Sequence, residues 1–237
     1  MHQASTRILG IVGGTGPEST IEYYRSLVAA WKQRRPDGSF PRILINSIDG
    51  GGLWRLLEAR DSNAVADALT AAVARLSAAN AGLVILASNT VHTVFDEVAS
   101  RVDVPMLSIV TETVRAAQRL GLRRPGILGT RFVTESNLYL EPLRESGMTV
   151  VLPEADERAY LHDRYVDELI AGTVTADTRA RAVEMISTMQ EKSAIDGVVL
   201  AGTELTLLFS EPEYHGLPVV DSGAAHVDGA ITWLLRE

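Results

Sequence analysis

Short apolar segments alternate with longer segments of helical pattern along this chain, and the alternation limits the folds that it can adopt. The segments ILGIV, RILINSID and LVILAS are rich in β-branched residues, and between them lie STIEYYRSLVAAWKQR and AVADALTAAVARLSAANA. Continuous apolar strands that alternate with amphipathic helices are typical of a parallel sheet covered on both faces. The sequence therefore predicts the α/β class.

The pattern starts again in the second half of the chain, with the apolar segments PGILGT, MTVVLP, DGVVLAG and LPVVDS. Two motifs of the first half return there. Residues 10–15 resemble residues 126–130, and residues 84–90 resemble residues 198–204. Both pairs are separated by about 115 positions, which indicates an internal duplication.

The duplication predicts two similar Rossmann-like lobes with parallel sheets, related by a pseudo-twofold axis. The first lobe is expected to comprise residues 1–108 and 215–237, and the second lobe residues 109–214. Ligands of open α/β sheets bind beside the carboxyl ends of the strands. We therefore expect the active site in a cleft between the two lobes.

Composition narrows the range of partners. The 237 residues carry a formal charge of −8, which argues against nucleic acid and against a polybasic membrane-binding segment. The N-terminal stretch MHQASTRILGIV lacks the long apolar region of a signal peptide, so we expect a cytoplasmic protein with a small-molecule partner. The chain has no cysteine, which excludes thiolate catalysis and thiolate metal sites.

The turn GGTGPEST follows the first strand and opens a helix. Small residues allow a ligand to approach the backbone, and free N–H groups at a helix start favour anions. Gly14 and Thr15 are therefore candidate substrate-binding residues. The third glycine of a dinucleotide-binding motif is missing, so a small carboxylate or phosphate fits better than a dinucleotide. The alternative is a tight turn capped by Ser19 or Thr20.

Polar residues close corresponding strands in the two halves. Asn89 and Thr90 follow one strand, and Thr203 and Glu204 follow its counterpart. Their amide and hydroxyl groups are candidates for substrate binding, and Glu204 is a candidate acid or base if burial raises its pKa. The alternative is helix capping after a strand, which asparagine and threonine often provide.

Other residues near these strand ends are weaker candidates. His92 lies one turn into the next helix, where it is either catalytic or a helix-surface histidine. Asn46 and Thr130 end other strands and are candidate substrate-binding residues. Arg131 is a candidate carboxylate clamp, or a solvated turn residue. The histidines show no spacing typical of metal ligands, so no metal is expected.

The motifs GIVGGTGPESTIEYY, LINSID, ASNTVH, GILGTRFVTESNLYLEPL, VVLAGTEL and DSGAAH, taken together and in this order, resemble the aspartate/glutamate racemase superfamily. The resemblance covers nearly the whole chain. It implies two lobes that enclose a small dicarboxylic amino acid, without pyridoxal phosphate or any other cofactor. It also implies a homodimer.

In that superfamily two cysteines, one from each lobe, face opposite sides of the substrate α-carbon, and they remove and return its proton. The first begins a Cys-Thr-Asn-Thr turn, which is Ala87-Ser88-Asn89-Thr90 here, and the second begins Cys-Thr-Glu, which is Gly202-Thr203-Glu204 here. A methyl group and a hydrogen atom cannot transfer protons, so two-thiol racemisation is excluded. Loss of both thiols is also expected to enlarge the pocket around Ala87 and Gly202, which become candidate substrate-binding residues.

Three interpretations remain. The first is an enzyme that acts on a small carboxylate by cysteine-independent chemistry, of the isomerase, lyase, hydrolase or cyclase type, with Glu204, His92, Ser88 or Thr203 as the catalytic groups. The second is a catalytically inactive carboxylate-binding regulator or partner protein. The third is an amino-acid racemase whose cysteines were removed by engineering.

Overall fold

The computed structural model describes residues 7–236. The described chain divides into two compact units. Unit 1 contains the residues up to Ile109 and those from His226 onward, and unit 2 contains Val110–Ala225. Each unit has a sheet flanked by helices, which confirms the predicted α/β class.

Unit 1 contains four strands and most of the long helices of the first half. The strands are β1 (Ile8–Gly13), β2 (Arg42–Ser47), β3 (Leu83–Leu86) and β4 (Met106–Leu107). The helices are α1 (Pro17–Arg34), α2 (Gly50–Glu58), α3 (Ser62–Ala78) and α4 (Phe95–Ser100), and a 3-10 helix at Thr90–Val94 precedes α4. Most of these elements coincide with the apolar and helical segments read from the sequence.

The rest of the chain repeats the arrangement in unit 2 and ends with a helix whose residues from His226 onward belong to unit 1. After α5 (Ile109–Arg119) come β5 (Pro125–Gly129), α6 (Arg131–Thr134), α7 (Leu140–Glu145), α8 (Ala155–Arg164), a π-helix (Tyr165–Leu169), α9 (Ala176–Ser193), β6 (Gly197–Ala201), a 3-10 helix (Thr203–Leu207), β7 (Glu213–Tyr214), β8 (Leu217–Asp221) and α10 (Ser222–Leu234). Throughout residues 7–236, no helix combines the length and the apolar character needed to cross a bilayer.

The internal duplication is visible in the strand order. Sheet 1 has the order β2-β1-β3-β4 and sheet 2 the order β5-β6-β8-β7. An isolated parallel bridge joins Val151 to β5, on the strand's outer edge, so that Val151 takes the place that β2 has beside β1. Only β7 departs from the parallel pattern, because it forms an antiparallel hairpin with β8.

The two sheets also share their register. Gly10 of β1 lies opposite Val84 of β3, and Gly126 of β5 lies opposite Val198 of β6. The two repeated motifs therefore pair with each other in the same way in both units. Since all these strands are parallel within their own sheets, the turns after β1 and β3, and those after β5 and β6, lie at the carboxyl ends.

Buried strands hold each unit together. All residues of β3 and of β6 are buried, as expected for central strands covered on both faces. In unit 1 the core includes Leu9, Ile85 and Ile231. In unit 2 it includes Leu128, Leu200 and Ile186. The unit 1 core thus recruits α10, the last helix of the chain.

The chain returns to unit 1 later than the sequence suggested. The boundary was expected at residue 215, but β8 and the first residues of α10 belong to unit 2, and unit 1 resumes at His226. The physical reason is strand pairing, because Val219 and Val220 of β8 pair with Val198 and Val199 of β6. The LPVVDS segment thus completes the second sheet.

The turn after β1 packs closely against the start of α2. Gly14 has a φ of +93°, a conformation that L side chains rarely adopt. Its carbonyl oxygen faces Gly50, where a β-carbon would lie only 2.1 Å from that oxygen. Backbone therefore meets backbone, and neither residue has room for a side chain.

We predict that Gly50→Ala lowers the free energy of unfolding by about 2–4 kcal/mol, because the new methyl group must displace the backbone of Gly14. Gly51, the next residue of α2, is the matched control, since a β-carbon there would lie 3.5 Å from the nearest atom outside its chain neighbours. Gly51→Ala should raise stability by up to about 1 kcal/mol through helix propensity. Urea denaturation followed by circular dichroism measures both values, and equal effects would contradict the packing described.

Candidate functional site

The residues of the polar turn after β3 in unit 1 are buried. The N–H group of Ala87 donates a hydrogen bond of 2.9 Å to the carbonyl of Val12, which continues the sheet by one residue. Ala87 itself belongs to the hydrophobic core cluster of this unit. Ser88, Asn89 and Thr90 are also buried, with 8%, 2% and 3% of their surface exposed. The methyl group at residue 87 thus lies among apolar side chains, and the polar groups follow it.

His92 is held by backbone groups on both ring nitrogens. Its Nδ1 lies 2.7 Å from the carbonyl oxygen of Ser88 and must donate to it, while Nε2 accepts from the N–H of Ile109 at 3.2 Å. Burial and the neighbouring His226 lower the pKa of His92 to about 3. The ring is therefore neutral.

This arrangement corrects the expected role of His92. It is neither a helix-surface histidine nor a ring with a nitrogen available for substrate, because both nitrogens are engaged and the side chain is 3% exposed. Its hydrogen bonds join the turn after β3 to the segment after β4. His92 is a positioning residue for the polar turn.

A second buried histidine lies beside the first. The Nε2 of His226 donates to the carbonyl of Leu107 at 3.0 Å, and its Nδ1 accepts from the hydroxyl of Tyr23 at 2.9 Å. Burial lowers the pKa of His226 to about 4. The His92 and His226 rings meet edge to face, with 5.9 Å between their centroids. The two neutral rings join α1, α10 and the ends of β3 and β4.

The turn after β1 uses its own backbone donors. The N–H of Gly14 donates to the hydroxyl of Thr20 at 2.9 Å, and that hydroxyl donates to the carbonyl of Gly16. The carbonyl of Thr15 accepts from the indole N–H of Trp54 at 3.0 Å. The tight-turn interpretation therefore describes Gly14, because its N–H is already bound by the Thr20 hydroxyl.

Asn46 is also engaged within unit 1. Its side-chain amide donates to the carbonyl of Ala72 in α3 at 3.1 Å, so it ties β2 to that helix. The residue is half-buried. This contact makes Asn46 a structural bridge, and it does not support the predicted role in shaping a substrate pocket.

In unit 2, Thr130 and Arg131 follow β5. Thr130 is fully buried and its carbonyl accepts from the N–H groups of Val133 and Thr134, both at 3.0 Å, so it begins α6. The guanidinium of Arg131 lies 5.1 Å from the centroid of the Phe132 ring. Because Gly129 pairs with Ala201, Thr130 and Gly202 leave neighbouring strands at the same edge.

The turn after β6 carries a cluster of directly bonded side chains. The hydroxyl of Tyr165 donates a hydrogen bond to the carboxylate of Glu204. The hydroxyl of Thr203 donates to the same carboxylate oxygen at 2.9 Å. Glu204 is 5% exposed and Tyr165 is 4% exposed. A buried carboxylate with two hydroxyl donors thus lies directly after the strand.

Tyr165 also explains the glycine at residue 202. A β-carbon on Gly202 would lie 2.8 Å from Cε2 of Tyr165 and 3.1 Å from its hydroxyl oxygen. The tyrosine ring therefore occupies the space beside the strand end where a side chain would lie. The expected enlargement of the pocket is wrong at this position, because the phenol ring has taken the volume.

Sequence reasoning missed Tyr165, and no local signal could have found it. The residue lies in the apolar and charged stretch YVDEL, far from the strand-end motifs, and it reaches Glu204 across 39 positions of chain. Tyr23 lies within the motif GIVGGTGPESTIEYY, but its bond to His226 spans 203 positions of chain and was also not predicted. The interactions that define both residues are contacts between distant segments, which periodicity does not encode.

Within residues 7–236 there is no cluster of three or more histidine, aspartate or glutamate side chains that could hold a metal ion. The expectations that no metal and no cofactor take part stay predictions. At the end of β6, the carboxyl of Glu204 and the phenol of Tyr165 are in direct contact.

The two units, which share a strand order and carry a strand-end turn after equivalent strands, define an internally duplicated α/β protein. The chain belongs to the Asp/Glu/Hydantoin racemase family, whose pattern matches residues 12–230. The resemblance drawn from the motifs is thereby confirmed.

Three relatives are similar to this protein over nearly its whole length. A broad specificity amino-acid racemase of Bacillus subtilis is 23% identical, over 96% of this chain and 98% of its own length. The crystal structure of an aspartate racemase homologue from Pyrococcus horikoshii is 30% identical, with a TM-score of 0.83, over 98% of this chain and 100% of the other. The aspartate racemase of Picrophilus torridus, 22% identical, shares the fold with a TM-score of 0.74, over 98% of this chain and 95% of the other.

We predict that the buried histidines make stability depend on pH. Because their folded pKa values lie below the usual 6.5, they stabilise the native state fully above about pH 6.5, and this contribution is lost as the pH falls toward 4 and then 3. Each histidine adds a slope of about 1.4 kcal/mol per pH unit in that range. Urea denaturation at a series of pH values measures the slope.

His92→Asn keeps a donor for the Ser88 carbonyl but does not titrate. It should unfold more easily at neutral pH, by about 1–3 kcal/mol, and show a flatter pH dependence by about one proton. The exposed His215 provides the control, because asparagine tolerates the positive φ of +51° there, and His215→Asn should keep the wild-type free energy of unfolding at neutral pH. An unchanged slope in His92→Asn contradicts the neutral state assigned to this ring.

Proposed function

We propose that the protein is an enzyme that acts on a small carboxylate-containing substrate by cysteine-independent proton transfer, with Glu204 as the general acid and base. The observation that carries the proposal is the buried contact of Glu204 with the hydroxyl groups of Thr203 and Tyr165, directly after β6. By the family motif, Gly202 in that turn stands where the second catalytic cysteine is found.

The chemistry follows from the weak acidity of a proton next to a carboxylate. Its removal requires a positioned base, and the carboxylate of Glu204 is such a group. The proton moves to Glu204, and the electron pair of the C–H bond stays on the substrate, delocalised into the adjacent carboxylate. Return of the proton to the same face of that carbon gives proton exchange with retention, and its delivery to a different carbon of the substrate completes an isomerase-type reaction. Departure of a group from the neighbouring carbon completes a lyase-type reaction.

The choice of Glu204 rests on what each turn offers. Ala87 supplies only a methyl group, and His92 has both ring nitrogens engaged by the backbone. Thr203 is proposed to hold the carboxylate of Glu204 through its hydroxyl group. Ser88 remains a weaker catalytic candidate, because its carbonyl serves His92 and no base lies bonded to it among the described contacts.

Substrate binding is proposed for the remaining strand-end residues. Asn89 and Thr90 are buried in the turn after β3, and Thr130 and Arg131 follow β5 beside the turn that holds Glu204. An arginine guanidinium suits a carboxylate by charge and planar geometry. The relative from B. subtilis is an amino-acid racemase, which supports an amino acid as the substrate. A homodimer in the cytoplasm stays a prediction.

The contact between Gly202 and Tyr165 bears on the engineered-racemase interpretation. A chain whose cysteine had simply been removed retains the space for it, whereas here the Tyr165 ring lies 2.8 Å from the position of a β-carbon. Tyrosine and glycine fit each other. This favours a chain adapted to the absence of the thiol.

We expect the wild-type protein to exchange the α-proton of at least one L-amino acid in D₂O, in a panel that includes L-aspartate and L-glutamate. Glu204→Gln keeps the size of the side chain but removes the base, so it should slow exchange at least about 100-fold. Proton NMR of the α-proton signal measures the rate. Glu184→Gln, an exposed residue of α9, is the matched control and should exchange at the wild-type rate.

Two outcomes contradict this proposal. The first is exchange that persists in Glu204→Gln at the wild-type rate. The second is wild-type protein that binds a panel member in calorimetry but exchanges no α-proton, which supports the alternative of a carboxylate-binding regulator. Circular dichroism and thermal unfolding confirm that each variant is folded.

Restoring both cysteines tests the engineered-racemase interpretation. We predict that Ala87→Cys combined with Gly202→Cys does not give efficient racemisation of aspartate or glutamate, because the Tyr165 ring blocks the side chain at residue 202. Chiral chromatography of the reaction mixture measures inversion. Efficient racemisation would instead support a racemase from which the thiols had been removed.

A further inference from the structure

We infer that Tyr165 is a catalytic residue whose phenol relays the proton between the substrate carbon and Glu204, at the position that the family's second thiol otherwise takes. The inference rests on the proposed function and deepens it. It assigns the contact with the reacting carbon to Tyr165. This residue lies outside every family motif read from the sequence.

The first support is position. The hydroxyl oxygen of Tyr165 lies 3.1 Å from the point where a β-carbon of residue 202 would be. A cysteine sulfur at residue 202 is bonded directly to that β-carbon. The phenol oxygen is therefore close to the position of the cysteine sulfur in the family. The hydroxyl group of Tyr165 also donates a hydrogen bond to the carboxylate of Glu204.

The second support is the direction of the hydrogen bonds. The phenol donates to the carboxylate of Glu204, and its oxygen accepts from the N–H of Glu204 at 3.4 Å. Thr203 donates to the same carboxylate oxygen at 2.9 Å. The phenolic hydrogen already points at the base that would receive it.

Burial and the carboxylate of Glu204 raise the pKa of Tyr165 well above its usual value. A free phenolate is therefore disfavoured. Tyr165 avoids a negative charge if its oxygen receives the substrate proton in the same step in which it gives its own proton to Glu204. This distinguishes a relay from a simple tyrosine base.

The step balances as follows. The substrate C–H proton moves to the phenol oxygen of Tyr165 while the phenolic proton moves to the carboxylate of Glu204. The electron pair of the C–H bond stays on the substrate. The products are a substrate carbanion stabilised by its carboxylate, a neutral Tyr165 and a protonated Glu204, and the reverse steps return the proton.

The third support is that α9 forms hydrogen bonds to the two segments that contain Tyr165 and Glu204. Tyr165 is the first residue of the π-helix, and its carbonyl oxygen accepts a hydrogen bond from the N–H of Ile170 at 3.1 Å. Glu168 of the same turn accepts from the hydroxyl of Thr178 in α9 at 3.0 Å. Single π-helical turns are frequent at functional sites, because the extra residue changes the direction of a side chain.

The same helix fixes the other partner. Arg179, next to Thr178 in α9, donates to the carbonyls of Leu207 and Leu208, the former at 2.6 Å. These carbonyls end the 3-10 helix that begins with Thr203 and Glu204. Two consecutive residues of α9 therefore bind the π-helix that begins with Tyr165 and the end of the 3-10 helix that contains Glu204. Such bonds restrict the two segments that carry the pair.

The test is Tyr165→Phe, which removes only the hydroxyl group and keeps the ring that packs on Gly202. We expect α-proton exchange of the amino acid that wild type turns over to fall at least about 100-fold, while its dissociation constant changes by less than about threefold. Tyr160→Phe, in the preceding helix α8, is the matched control and should exchange at the wild-type rate.

A solvent isotope effect separates the relay from a structural role. Release of tritium from the substrate carbon should be slower in D₂O than in H₂O for wild type, because the phenolic proton moves in the same step. A direct reaction of Glu204 with carbon leaves the first transfer insensitive to solvent. Gly202→Ala is the second variant, and it should slow exchange by displacing the ring.

The outcomes are distinct. If Glu204→Gln abolishes exchange but Tyr165→Phe retains it without a solvent isotope effect, the relay is wrong and the proposed function stands. If wild type exchanges no member of the amino-acid panel, the proposed function and the relay are both overturned. Loss of exchange in both variants, with the isotope effect in wild type, supports the relay.

Discussion

The contact of Tyr165 with Gly202 and Glu204 is the constraint on which the turn after β6 depends. The phenol ring can lie against the strand end only because residue 202 has no side chain, since a β-carbon there would approach the ring to 2.8 Å. In that position the hydroxyl group reaches the Glu204 carboxylate, which is buried and would be costly to leave without donors. Glycine, tyrosine and glutamate are thus interdependent, and changing one removes the environment of the other two.

Equivalent turns of the two units form different kinds of hydrogen bond. Their central strands share order and register, so that Ala87 and Gly202 occupy comparable turns. In unit 1 the polar side chains near that turn bind backbone groups, as His92 binds Ser88 and Ile109. In unit 2 the polar side chains bind one another, as Tyr165 and Thr203 bind Glu204. Hydrogen bonds to backbone rigidify a turn, whereas a chain of titratable side chains can also move a proton.

The sequence predicts the scaffold well and the site in part. The α/β class and the internal duplication follow from the apolar segments and the repeated motifs, and the loss of both thiols follows from the family resemblance, which aligns Ala87 and Gly202 with the two cysteines. Interactions between distant segments were not predictable, among them the pairing of Tyr165 with Glu204 and the bonds of His92. The MTVVLP segment reads as a strand but forms a single bridge at Val151, because pairing to one edge depends on the loops around it. Apolar patterns predict which residues are buried, but the residues that they contact depend on how the segments pack in the folded chain.

A single acid–base centre also limits the stereochemistry. When the group that removes a proton is the group that returns it, the proton leaves and arrives on one side of the carbon, so the configuration is retained. Inversion requires a proton donor on the other side of the carbon. A centre built from Glu204 and Tyr165 is therefore suited to exchange with retention, or to elimination in which the carbanion expels a neighbouring group. Exchange without loss of configuration would therefore distinguish the proposed tyrosine–glutamate centre from two-thiol racemisation.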